Sequence, residues 1–133
     1  MSYNRPLPIP DDFTKTFWDG LKREELLIPR CLRCRQFHFY PRSICPHCFS
    51  DQLEWVKVSG RGTLYSYTVC YKPAHPAFVD SVPYNIAIVE LDEGVRLMSS
   101  VVCDHDALEV GMPLEVVFDQ VTDEVIVPRF RPT

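Results

Sequence analysis

Four of the six cysteines in this 133-residue chain fall in two C-x-x-C pairs, Cys31-Leu32-Arg33-Cys34 and Cys45-Pro46-His47-Cys48, with ten residues between them. Thiolate sulfur is a soft donor, and two such pairs can each turn two sulfurs onto one ion, completing the tetrahedron that zinc prefers. Ten intervening residues suffice for a short hairpin that carries one knuckle back to the other. Iron is chemically possible in a four-sulfur site as well. In either case the protein fills every ligand position, so the expected ion, Zn2+, is structural and has no open place for a substrate. Binding such an ion is itself folding energy, of order 10 kcal/mol in small modules. A ribbon of about 25 residues with little core of its own needs that contribution. Two rival readings of the cysteines are buried free thiols and a redox C-x-x-C. The redox motif usually occurs singly at a helix start, whereas both pairs here lie beside strand-like sequence.

The remaining reactive residue types form no catalytic set. There is no G-x-S-x-G, H-E-x-x-H, Walker sequence or dinucleotide G-x-G-x-x-G, so no residue is assigned as catalytic. Cys70 and Cys103 sit in apolar strands and read as small buried hydrophobes. His47 reads as an exposed loop residue beside a site that four thiolates already complete, and His38 and His105 show no partner pattern. His75 lies in Lys72-Pro73-Ala74-His75-Pro76-Ala77-Phe78, a long Pro-punctuated connection. That loop either packs over the neighbouring strands through Phe78 or contacts a ligand or partner. Arg30, Arg33, Arg35 and Arg42 surround the knuckles, while Arg129 and Arg131 lie in the carboxy-terminal tail. They are either solvated counter-charges to the thiolates or forks for phosphate, such as the phosphates on the nucleotide end of an acyl-CoA. Tyr65, Tyr67 and Tyr71 alternate along one strand. They could stack on nucleic-acid bases, but no basic residues are interleaved with them, which favours packing against the ribbon or the amino-terminal helix.

The elements that must position these groups divide the chain into three parts: residues 1–25, 26–52 and 53–133. Residues 1–10 are Pro-rich and extended in expectation. Asp11 or Asp12 is a suitable N-cap for a helix running to about residue 23. Phe13, Phe17, Trp18 and Leu21 then share one face, and Gly20 weakens the helix by roughly 1 kcal/mol. In the middle part, residues 26–28 and 37–40 read as short strands leading into the two cysteine pairs. The last part reads as strands at 64–71, 84–91, 95–103, 114–121 and 124–130, with hairpin turns at Asp92-Glu93-Gly94 and Thr122-Asp123 and a bend or bulge at Gly60 and Gly62. Five strands with one longer connection over 104–112 fit a small closed barrel of the OB type, with an open five-stranded sandwich as the rival. The apolar share of 46% and charged share of 24% are those of a globular protein. Eighteen acidic against 14 basic side chains, a formal charge of −4, argue against a general nucleic-acid binder. The first twelve residues lack the apolar core of a signal peptide and no apolar run is long enough to cross a membrane, so a cytoplasmic location is expected.

The series of an aromatic amino-terminal helix, C-L-R-C and C-P-H-C, G-R-G-T-L-Y-S-Y-T-V, V-P-Y-N-I-A-I-V-E-L-D-E-G and G-M-P-L-E-V-V-F resembles the domain of unknown function 35 family over nearly the whole chain. The resemblance implies a mainly β protein: an N-terminal helix, a rubredoxin-like zinc ribbon and a C-terminal five-stranded OB-fold barrel. By position Cys31, Cys34, Cys45 and Cys48 match the family's zinc ligands. It further implies a non-catalytic subunit of acyl-CoA and lipid metabolism. Such a subunit docks in a hetero-oligomer on a thiolase-fold enzyme, a thiolase or lipid-transfer-type aldolase, and helps bind or channel its acyl-CoA thioester. The amino-terminal helix commonly takes part in docking, and here Phe13, Phe17 and Trp18 would form a costly exposed patch if nothing covered them. Arg33, Arg35, Arg42, His75 and Phe78 are this sequence's own candidates for contact with the acyl-CoA. One departure concerns the knuckles: glycine often follows the second cysteine, where the turn favours φ > 0, but Arg35 and Phe49 stand there. The alternatives are a single-stranded nucleic-acid-binding OB-fold protein and an independent hydrolase or hydratase of acyl-CoA.

Overall fold

The computed structural model describes residues 7–73 and 75–133. The expectation of an extended start falls partly outside them, at residues 1–6; residues 7–10 are neither helix nor strand. Asp11 then organises the first turn. Its Oδ1 accepts the N–H groups of Thr14 (2.8 Å) and Phe13 (2.9 Å), and these two bonds, Thr14 first, hold its carboxyl below the usual carboxylate range. Residues 12–14 are spent in this turn, so helix α1 spans only Lys15–Lys22. Gly20 weakens that helix for a reason visible in the packing: a Cβ there would lie 2.7 Å from Leu27 Cδ1.

Strands β1 (Leu27–Cys31) and β2 (Leu53–Lys57) pair antiparallel from Leu27↔Lys57 to Cys31↔Leu53. The strand expected at 37–40 shrinks to one bridge, Arg30↔Phe37. His38 N–H reaches the Pro29 carbonyl at 3.1 Å, but proline has no N–H to return, so the ladder stops.

The second sheet has the order β5-β4-β3-β6-β7, with β3 at Arg61–Cys70, β4 at Tyr84–Leu91, β5 at Arg96–Ser99, β6 at Pro113–Gln120 and β7 at Ile126–Pro132. Both expected hairpins form, as the Gly94 N–H to Leu91 and Val121 N–H to Val125 bonds record. The strand expected at 95–103 ends at Ser99 because the chain leaves β4 there and turns to β7. Phe130 N–H donates to Ser100 and Val102 N–H donates to Phe130 (3.0 and 2.7 Å), which closes the curled sheet into an OB-type barrel. Residue 129, inside the strand expected at 124–130, and residue 131, expected in the tail after it, both lie in β7. Gly62 lies where β3 crosses β4, and a Cβ there would sit 2.3 Å from the Glu90 carbonyl oxygen.

One core joins the parts. Phe17 and Leu21 of α1, with Leu26 and Ile28, belong to the same buried cluster as Leu64, Val89, Leu114 and Phe130. Each such side chain, fully buried, contributes about 1.5–3 kcal/mol. Among the described residues no helix is long and apolar enough to cross a membrane.

Candidate functional site

The two knuckles are copies of one local design. Arg35 N–H donates to the Cys31 carbonyl and Phe49 N–H to the Cys45 carbonyl, both at 2.9 Å. The residues after each second cysteine have left-handed backbone, with φ of 66° at Arg35 and 64° at Phe49, so the turn that glycine would ease is made here without it. Backbone N–H groups point at sulfur: Cys34 to Cys31 Sγ and His47 to Cys45 Sγ, each at 3.4 Å. Across the knuckles Cys31 and Cys48 sulfurs lie 3.5 Å apart and those of Cys34 and Cys45 3.6 Å. All four lie within 4.8 Å of one another, the one such cluster among the described residues. Four sulfurs about 2.3 Å from a zinc ion stand about 3.8 Å apart along the edges of a tetrahedron, so the donor set fits.

The protons agree with that fit. Cys31 is pulled down to about 6, first by the Cys34 backbone N–H and further by that of Arg33, against its burial. At Cys34 the Gln36 backbone favours the thiolate, yet burial and the sulfurs of Cys45, Cys31 and Cys48 push it up to about 12. Sulfurs this close resist ionising together unless a cation sits among them. Cys31 and Cys45 are buried and Cys34 and Cys48 half-buried, so the ligand set is closed on its core side. His38 is buried nearby. Burial first, then the charges of His47 and Arg42, lowers its pKa, with the Arg42 backbone acting the other way.

The aromatic face of α1 divides. Phe17 is only 5% exposed and packs edge-on to Trp18 at 5.1 Å and beside Phe39 at 5.3 Å. It is core, which corrects its assignment to an exposed docking patch. Phe13, in the turn before α1, is 54% exposed. Trp18 is half-buried and lines an apolar groove of about 350 Å3 with Phe39, Tyr40, Leu97 and Met98.

Of the residues expected at the acyl-CoA, His75 and Phe78 are brought together, their rings edge-to-face at 6.3 Å, and the three ribbon arginines do not join them. Arg33, Arg35 and Arg42 are exposed on the ribbon loops. His75 caps the 3-10 turn Pro76–Ser81, its Nδ1 accepting the Ala77 N–H at 3.0 Å. Phe78 of that turn lies 5.7 Å from the Tyr84 ring. Beneath it opens a groove of about 460 Å3 lined by Phe78, Ser81, Tyr84, Ile86, Ser100 and Arg129. A smaller hollow of about 240 Å3 continues it past Cys103 and His105, sharing Tyr84, Ser100 and Arg129. The cation here is Arg129, paired with Asp119 at 2.9 Å, and none of the ribbon arginines lines either hollow. An arginine inside an apolar strand was the sequence signal for it. Tyr65, Tyr67 and Tyr71 are exposed rather than packed on ribbon or helix, and the Arg96 guanidinium covers the Tyr65 ring at 3.8 Å.

Comparison with known proteins places both halves of the chain. The rubredoxin-like zinc ribbon domain of ChsH2 matches residues 18–54 and the C-terminal OB-fold domain of ChsH2 matches residues 55–119. A DUF35 domain-containing scaffold protein of Methanothermobacter thermautotrophicus is 43% identical over 105 residues, 77% of this chain and 78% of that protein. A probable enoyl-CoA hydratase alpha subunit of Thermomonospora curvata is 37% identical over 129 residues, 96% of this chain, which therefore spans 40% of that relative's length. The benzoylsuccinyl-CoA thiolase subunit BbsA of Thauera aromatica is 31% identical over 74 residues, 53% of this chain and 46% of its own. A solved Ltp2-ChsH2(DUF35) aldolase contains a chain that superposes with a TM-score of 0.84 at 36% identity, covering 95% of this chain and 98% of that one.

Proposed function

Since this chain belongs to the DUF35 family of zinc-ribbon and OB-fold proteins, we propose that it is a non-catalytic subunit that docks on a thiolase-fold enzyme and helps hold that enzyme's acyl-CoA thioester. The observation that carries the reading is the match, over 98% of its length, to a chain of the Ltp2-ChsH2(DUF35) aldolase. The local chemistry agrees. Cys31, Cys34, Cys45 and Cys48 hold a zinc ion whose ligand positions are all protein, so the ion supplies rigidity and no Lewis-acid chemistry at a substrate. Phe13 and Trp18 remain the docking face of the amino-terminal region.

The thioester rests in the groove of Phe78, Tyr84 and Arg129, where aromatic walls suit an apolar acyl or pantetheine segment and the guanidinium suits a phosphate or carbonyl oxygen. The exposed Arg33, Arg35 and Arg42 serve phosphates at the enzyme boundary. The experiment is co-expression with thiolase-fold enzymes of the same cell, followed by acyl-CoA titration of the complex. Arg129→Ala is expected to leave co-elution intact and to weaken acyl-CoA binding about 10–100-fold, the loss of one charged hydrogen bond. A monomer that ignores every such enzyme, or acyl-CoA turnover by the purified chain alone, refutes the reading. The nucleic-acid alternative is disfavoured by the formal charge of −4.

A further inference from the structure

We propose that the outer edge of β3 is an assembly edge, which pairs antiparallel with the same edge of a second copy of this chain. The proposal does not rest on the enzyme partner. β6 pairs with β3 only at Arg61, Gly62 and Thr63, and the last bonds on that side are Leu64 N–H to Met112 and Gly111 N–H to Leu64. Among the described residues, the strand from Ser66 to Cys70 is paired on its β4 side alone.

Strand parity identifies the free groups. Leu91 donates toward β5, to Val95, while Asp92 donates toward β3, to Arg61. Even-numbered β4 residues therefore face β3, and Ile88, Ile86 and Tyr84 lie opposite Ser66, Thr68 and Cys70. The N–H and C=O groups of Tyr67 and Val69 point outward, and no backbone partner meets them among the described residues.

An open edge of this kind is normally blunted by charge or proline. The other strands show such devices: Pro29 in β1, Glu54 and Lys57 in β2, Pro128 and Pro132 in β7. Residues 65–71, Tyr-Ser-Tyr-Thr-Val-Cys-Tyr, carry neither. Four consecutive side chains, from Tyr65 to Thr68, are exposed. Arg96, which lies over the Tyr65 ring at 3.8 Å, is itself neutralised by Glu90 at 2.8 Å.

A second copy is the occupant that this edge fits. Two-fold pairing about Tyr67 sets it opposite its own counterpart and Ser66 opposite Thr68, short of the irregularity at Tyr65. Every cross-strand pair is then aromatic, β-branched or hydroxylic, with no like charges facing. The chain's net charge of −4 has no acidic representative in the paired segment. The exposed tyrosines add the apolar area that strand pairing alone lacks.

Sedimentation or light scattering of the zinc-loaded full chain over rising concentration tests this. The wild type is expected to pass from monomer to dimer mass. Val69→Pro removes an outward donor and leaves the β4 ladder intact, so it should stay monomeric, with a melting temperature lowered only by the packing that Val69 makes against the core. Thr68→Pro removes an inward donor and should lower that temperature. Tyr67→Lys should also be monomeric, and mixing it with Tyr67→Glu should restore the dimer. A wild type that stays monomeric throughout, or a Tyr67→Lys variant that dimerises like the wild type, overturns the proposal. So does a monomeric wild type whose Val69→Pro variant loses an enzyme partner, which would assign the edge to that partner's strand.

Discussion

Withdrawing the metal should melt the knuckles and spare the rest of the chain. Structural zinc in small modules contributes about 10–16 kcal/mol at neutral pH, as much as the whole stability of a typical domain. If the ribbon were held only by its ion, chelation would unfold everything built on it. Yet the ribbon's first strand is also held by the common core: Leu26 and Ile28 are buried, as are Phe17 and Leu21 of the helix beside them. Four side chains at about 2 kcal/mol each supply about 8 kcal/mol of independent attachment. The loss is therefore expected to concentrate in residues 31–36 and 45–50, which contribute no apolar side chain to that core apart from the cysteines.

Hydrogen exchange read by mass spectrometry, before and after a strong chelator, resolves the two outcomes. The amides of Arg35 and Phe49, which close the knuckle turns, should lose protection. The Val58 amide, bonded to the Leu26 carbonyl at 3.0 Å, and those of β4 should keep theirs. Uniform loss across the chain would refute the independence of helix and first strand. Unchanged protection at Arg35 and Phe49 would refute the metal's role altogether.

Three further outcomes are expected. Metal uptake near neutral pH should expel the Cys34 proton, since that thiol lies at about 12 while Cys31, at about 6, is already ionised. The loaded form binds fewer protons, so affinity rises with pH and falls on acidification; titration calorimetry in two buffers of different ionisation enthalpy measures the proton, and none released would count against the four-thiolate site. Asn85→Ala should lower stability by about 2–4 kcal/mol in a denaturant melt, because the buried side chain satisfies both the N–H (2.7 Å) and the C=O (2.8 Å) of Val101, where the barrel closes. Phe17→Ala should cost about 3–5 kcal/mol, whereas Phe13→Ala should stay within about 0.5 kcal/mol and weaken only co-elution with the enzyme.

What could be read from the sequence was whatever rests on short separations. The knuckles are closed by bonds between residues four apart, so C-x-x-C spacing already contains their geometry. The hairpins after Leu91 and Val121 likewise announce themselves through their turns. The misplacements share a different cause. Phe13 and Phe17 are four apart and would share a helical stripe, but Asp11 captures the amides of Phe13 and Thr14 and delays the helix to Lys15, leaving Phe13 off that face. The alternation of Tyr65, Tyr67 and Tyr71 is interrupted by the β3 irregularity between Leu64 and Ser66, so a common packed face does not follow. Nothing local in residues 53–57 says that they return to β1, and nothing near Phe37 says that it meets a proline. Arg129 reaches its groove only because β7 is carried round to close the barrel. Each of these depends on a partner distant in sequence.

The shared core also bears on the support that the proposed subunit could give. A subunit that presents surfaces from two small modules must hold them in one relation. Here this is done by apolar packing, aided by Phe39 against Phe17 and by the Met98 N–H donating to the Tyr40 hydroxyl at 3.3 Å. The metal proposed for the knuckles would then be a clamp within them rather than glue between the modules. It follows that the two proposed contact regions are separable. Metal depletion should disorder the loops that carry Arg33, Arg35 and Arg42, and leave the Phe78–Tyr84–Arg129 groove formed, because that groove is built on β4, β7 and a turn capped by His75. A metal-depleted chain that still binds an acyl-CoA analogue through Arg129, but no longer stabilises its enzyme, is the signature of that division. Loss of both together would mean that the ribbon loops and the groove act as one surface.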